Sequence, residues 1–185
     1  KQKPAYERGV RLVGSEMCIR DRPNNPNIIL AAEQAAKISK KDVSIVPTKS
    51  IPQGIAAMLA FDPDESLDKI VEAMILNSQE VKSGEVTTAT QSTTWNNLKI
   101  SKGEIIGLYD KELVCVAENP SECAKQLLHT MVDNDSELIT LYYGADISID
   151  EADILSSSIE STYSDLEVEI YFGGQPLYHY IISVE

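Results

Sequence analysis

At 185 residues the chain is long for one small domain and short for two full-sized ones, so one domain or two intimately packed lobes is expected. With 43% hydrophobic residues it can bury a core, while 29 acidic against 16 basic residues leave a net charge of −13, which repels nucleic acid and anionic membrane surfaces. No run of the sequence is long and apolar enough to span a bilayer, so neither nucleic acid nor membrane insertion is expected.

Lys1 to Arg22 carries a cluster of basic residues, no sustained period and no cap, and reads as a disordered or foreign leader; the alternative is an edge strand around Val10 to Val13. The pattern begins at Pro23. Asn25 and Pro26 supply a cap and a first-turn proline to a helix whose Ile28, Ala31, Ala32, Ala35 and Ile38 share one face. Val43 to Val46 is a short apolar run closed by Pro47, as in a buried strand. Ser50 and Gln53 then have capping-box spacing and open a second helix, Ile51 to Phe61, apolar on nearly every side and so expected to be buried.

Asp62, Pro63 and Glu65 repeat the capping logic ahead of a helix striped by Leu67, Ile70, Val71, Met74 and Ile75 and ending near Lys82. Glu85 to Thr93 reads as a strand, and turn-prone Trp95, Asn96 and Asn97 mark a boundary between lobes. Beyond it, Ile105 to Tyr109 and Glu112 to Val116 flank Asp110 and Lys111 as a hairpin. Asn119, Pro120 and Glu122 start a helix with Cys123, Leu127, Leu128 and Met131 inward, and Leu138 to Tyr143 is a strand. Ser148 and Glu151 cap a helix burying Ala152, Leu155, Ile159 and Tyr163, followed by strands over Leu166 to Phe172 and Leu177 to Val184. This is an α/β protein: a leader over 1–22, a first α/β lobe over 23–94, and a second over 95–185 with a mixed sheet.

The chemistry is sparse. His129 and His179 have no partner at metal spacing, so no metal site is expected. Cys18, Cys115 and Cys123 show neither ligand spacing nor a paired framework, which points to a reducing, cytoplasmic setting, and Cys115 and Cys123 read as small core residues. Asp62, Asp64 and Glu65 are accounted for by a helix start, and no glycine-rich phosphate loop is present. Two stretches remain as candidate partner-binding segments. Thr48, Lys49, Ser50 and Gln53 follow a strand and open a helix, where open α/β sheets bind ligands; a plain connecting loop is the alternative. Gly173, Gly174, Gln175 and Tyr178 set two glycines and an amide beside an aromatic, suited to close backbone approach or equally to a tight turn.

PNNPNIILAAEQAA, VPTKSIPQGIAAMLAFDP, GEVTTAT, KISKGEIIGLYD, ELITLYYGAD and GGQPLYHYIISVE follow one another from Pro23 to Glu185. Together they resemble the C-terminal domain of the ATP-binding subunit of bacterial fatty acid kinase, which is related to dihydroxyacetone kinases. The resemblance implies a DegV-like fold in two packed lobes and a role in engaging the fatty-acid-carrying DegV-like partner. The alternative is a DegV-like lipid carrier. It also implies that ATP and magnesium belong to a separate N-terminal helical domain, so no cofactor and no catalytic residue are expected in this chain. The family usually begins this domain with further strands and a second GGQ-containing segment, which Lys1 to Arg22 does not resemble. It also tends to have Arg-Asp where this chain has Gln91 and Ser92, so no role of that arginine carries over.

Overall fold

The computed structural model describes residues 19–95 and 98–185, which gather into two compact units, one ending at Gln79 and the other running Glu80–Glu185. In the first, β1 (Ile19–Asp21) and β2 (Val43–Ile45) pair in parallel, accompanied by α1 (Pro26–Ile38), α2 (Ile51–Leu59) and α3 (Leu67–Glu80), whose last residue crosses into the second unit. The local start signals act as read. Asn25 Oδ1 accepts from Asn27 N at 2.9 Å, and the Ser50 hydroxyl accepts from Gln53 N at 3.4 Å. Among the described residues the core is small: Val46, Ala57, Ile70 and Met74, with Ala60 and Ile75 packed against them.

Three expectations change in this unit. Ile19–Asp21, assigned to the leader, forms a strand, while Val10 to Val13 lies outside the described residues. Among the described residues nothing covers the apolar sides of the two early helices: α1 buries only Ala32, and α2 leaves Ile51, Ile55, Met58 and Leu59 exposed, Leu59 at 79%. Periodicity reports that a helix has an apolar face and is silent on whether the same chain supplies a cover for it. Asp62 does not cap α3; its Oδ1 accepts from Asp64 N at 2.9 Å in a turn of its own, and the helix starts after Ser66, whose carbonyl accepts from Ile70 N.

The second unit holds β3 (Lys82–Thr88), a small hairpin of β4 (Thr93–Trp95) and β5 (Leu98–Ile100), then β6 (Ile105–Tyr109), β7 (Glu112–Ala117), α4 (Pro120–Met131), β8 (Leu138–Tyr143), α5 (Ile149–Thr162), β9 (Glu167–Phe172) and β10 (Tyr178–Val184). Six strands make one mixed sheet in the order β7-β6-β3-β10-β8-β9, antiparallel throughout except for β8 beside β9. The β6–β7 hairpin turns through Asp110 and Lys111, both at positive φ (48° and 71°), as a two-residue turn matched to strand twist requires. Asn119 and the Ser148–Glu151 capping box start α4 and α5 as their sequences indicate.

The expected lobe boundary at Trp95 moves. β3 lies between β6 and β10 in the second unit's sheet, and the turn-rich stretch after it is the β4–β5 hairpin. Strand pairing to residues tens of positions away decides this, and composition cannot report it. α4 and α5 cover one face of the sheet, where Leu127, Leu128, Met131, Leu155 and Ile159 pack with Val86, Ile139, Leu141, Tyr180 and Ile182. Among the described residues no helix is long and apolar enough to cross a membrane.

Candidate functional site

The feature in the second unit that packing does not consume lies where β3 ends and β10 begins. Thr87 Oγ1 donates to the Leu177 carbonyl at 2.6 Å, fastening the two strand ends together. The next residue, Thr88, places Oγ1 2.8 Å from His179 Nε2, and the other ring nitrogen of His179 meets the Asp146 carboxylate. Asp146 reaches it because the chain leaving β8 is held down: Gly144 N donates to the His179 carbonyl at 2.8 Å and Ala145 N to the Gln175 carbonyl at 3.0 Å. At Gly144 a Cβ would lie 2.2 Å from the Tyr178 carbonyl oxygen, so this approach needs glycine.

These groups sit at one side of a cleft of about 770 Å³, walled by Ile106 and Leu108 from β6 and by Leu177 and Tyr178, with Lys102 and Gly103 at its edge. A mostly apolar concavity with a few convergent polar groups is the usual form of a small-molecule site. The imidazole lies between the Asp146 carboxylate on one nitrogen and the Thr88 hydroxyl on the other, two contacts that hold the orientation of its ring. Burial pushes the phenol of Tyr180, the next residue on β10, above its ordinary value.

The residues singled out from sequence fall into two groups. In the first unit, Thr48 is fully buried, its hydroxyl donating to Asn24 Oδ1 at 2.7 Å, and Gln53 Oε1 accepts from Lys49 N at 2.8 Å, so Thr48, Ser50 and Gln53 shape their own loop. Lys49 is left with its side chain exposed. In the second unit, Gly173 N and Gly174 N both donate to the Tyr143 carbonyl, and the Gln175 side-chain amide donates to the Tyr142 carbonyl at 2.7 Å. Tyr178, half-buried, belongs to the cleft. Sequence reasoning missed Thr88, Asp146 and His179. The signal available was a histidine directly after GGQPLY and a threonine-rich strand end, but 91 residues separate Thr88 from His179.

The arrangement of this chain is that of the DegV-type α/β proteins. It is similar to the Streptococcus pneumoniae fatty acid kinase B3 protein loaded with linoleic acid (TM-score 0.61, 14% identity, covering 98% of this chain and 76% of that one). It is also similar to a fatty-acid-binding DegV family protein from Thermus thermophilus (TM-score 0.59, 13% identity, 97% and 74% covered). The dihydroxyacetone kinase of C. freundii, solved with AMP-PNP and Mg2+, shares the fold over 84% of this chain and 35% of that one (TM-score 0.54, 12% identity).

By sequence the chain belongs to the FakA-like C-terminal family of fatty acid kinases, whose model matches residues 23–185. Protein YloV of Bacillus subtilis is 41% identical over 163 residues, 88% of this chain and 30% of that protein. An uncharacterized protein of Staphylococcus haemolyticus is 39% identical over 184 residues, 98% of this chain and 33% of its own length. The chain thus spans about a third of the length of the curated relatives it matches.

Proposed function

We propose that this chain is the non-catalytic module with which a fatty acid kinase engages a fatty-acid-carrying, DegV-like partner in the cytoplasm while the acyl phosphate is formed. The observation that carries the reading, beside family membership, is the stripe Ile51, Ile55, Met58 and Leu59 on α2. Their spacing places them on one helical face, and all four are exposed on a chain of net charge −13, the mark of a surface kept for another protein rather than for general solubility. Lys49, just before that helix, supplies a cation for partner steering, and Tyr178 supplies aromatic anchor area in the second unit.

The test is calorimetric or surface-plasmon titration with the acyl-loaded partner. Met58→Asp is expected to abolish measurable binding, Tyr178→Ala to weaken it by about 1–2 kcal/mol, roughly ten-fold, and Lys49→Ala to slow association in a salt-dependent way. Glu72→Ala on α3 serves as the neutral control. If folded Met58→Asp and Tyr178→Ala bind like the parent, the docking role is rejected. ATP and magnesium are assigned to another part of the whole protein, and calorimetry of this chain with magnesium and ATP is expected to show no micromolar binding.

A second reading is favoured by the cleft. Beside its apolar wall the cavity is lined by Thr87, Thr88, Thr90, Lys102, Asp146 and His179, and with the Asp146 carboxylate engaged by His179, the threonine hydroxyls and Lys102 are the groups that would receive the carboxylate end of an acyl chain. Native mass spectrometry of the purified chain decides it: a co-purifying fatty acid lost in His179→Leu supports the carrier reading, and an empty parent protein that takes up no added oleate removes it.

A further inference from the structure

Cys115 on β7 and Cys123 in the first turns of α4 are both buried, 8% and 0% exposed, and their sulfurs stand 3.5 Å apart. Nothing lies between them, and the space they share exists because residue 107 is glycine: a Cβ there would lie 2.5 Å from Cys115 Sγ and 3.1 Å from Cys123 Sγ. Gly107 is the register partner of Cys115, beside a bulge in the β6–β7 pairing. The two thiols are not equivalent. Either thiol can donate in the sulfur–sulfur contact, and Cys115 Sγ also donates to the Cys123 carbonyl at 3.6 Å; the thiol–thiol hydrogen bond holds Cys115 below its ordinary value, while that bond and burial push Cys123 far up. Cys115 is also the one with residual exposure.

We propose that Cys115 and Cys123 form an oxidation site that closes reversibly into a disulfide when hydrogen peroxide or a related peroxide reaches Cys115. The Cys115 thiolate attacks a peroxide oxygen, the O–O bond breaks, and hydroxide leaves to become water, with Cys115 now a sulfenic acid. The Cys123 sulfur then attacks the Cys115 sulfur; its proton leaves with the expelled hydroxide as a second water. Two thiols and one peroxide thus give one disulfide and two waters, and a dithiol reductant reverses the change. The bond would tie β7 to α4 directly behind β6, whose Ile106 and Leu108 wall the cleft on the opposite side.

The pair can be tested in a Cys18→Ser background, which removes the third thiol. Both cysteines fall in one tryptic peptide, Glu112–Lys125. After mild peroxide treatment of the folded protein that peptide is expected to be lighter by two hydrogen atoms, to resist alkylation, and to recover both after dithiothreitol. In Cys123→Ser, with circular dichroism confirming the fold, Cys115 is expected to stop at a sulfenic acid that dimedone traps. Two results overturn the proposal. One is both thiols remaining alkylatable after unfolding, under peroxide that fully oxidises glutathione. The other is Cys115 accumulating as sulfinic acid while Cys123 stays reduced in the parent background.

Discussion

Gly144 carries more of the cleft than its size suggests. Its amide holds the His179 carbonyl while its missing side chain lets the Tyr178 carbonyl approach, so Gly144→Ala must push β8 and the 175–178 turn apart. Overpacking against backbone of this kind costs about 2 kcal/mol, read as a lower urea midpoint, and it should disturb the His179–Thr88 contact as well. Thr88→Val, which keeps the shape and deletes one hydroxyl, is expected to lose about 1 kcal/mol and leave the fold intact. At this scale the sequence was legible only where partners are neighbours. Asn25, Ser50, Asn119 and the Ser148–Glu151 pair were read correctly because a cap bonds to residues two or three positions on. Asp146 and His179 were not read as a unit, because they stand 33 positions apart, with a helix and a strand between them, and nothing local marks the pairing. The partner of the Thr48 hydroxyl, Asn24, 24 residues earlier, was hidden for the same reason.

Among the elements, α4 rests on two end contacts that can be separated. Asn119 Oδ1 accepts from Glu122 N at 2.9 Å, so Asn119→Ala is expected to cost about 1 kcal/mol in chemical denaturation. At the other end, Asp133 beyond the helix meets Lys82 at the start of β3. The hydrogen bond from Lys82, then that from Ser136, holds the Asp133 carboxyl below its ordinary value. A carboxyl depressed in the folded state contributes fully above its unfolded pKa and loses that contribution as the pH falls through the folded value. Lys82→Met should therefore lower the melting temperature near neutrality, by a small amount for so exposed a pair, and the difference from the parent should vanish below the carboxylate range. The helices and the strands of the large sheet were legible from period and punctuation, whereas the short β1, β4 and β5 were not. The place of β3 was not, since Gly84 and Val86 serve a sheet whose other strands lie later in sequence. Nor was the exposure of α2, whose all-round apolar surface reads as buried although Ile51, Ile55, Met58 and Leu59 stand exposed.

Over the whole molecule the two units differ in what holds them. The Glu80–Glu185 unit has a six-stranded sheet covered by two helices around one continuous core, whereas among the described residues of the first unit the buried apolar cluster has four members. A fragment of residues 80–185 is expected to unfold cooperatively by calorimetry, and a fragment ending at Gln79 to show no transition of its own.

The order of strands sets a timetable for that larger unit. β10, made after every other strand of the sheet, is the one that joins the β7-β6-β3 half to the β8-β9 half. At roughly 5–20 residues per second on a ribosome, the span from Glu80 to Val184 takes on the order of 5–20 s to synthesise. For nearly all of that interval β3 waits with an open edge, and β8 waits for the last part of it, about 2–8 s, so the threonines and glutamate of β3 are expected to delay self-association until the closing strand arrives.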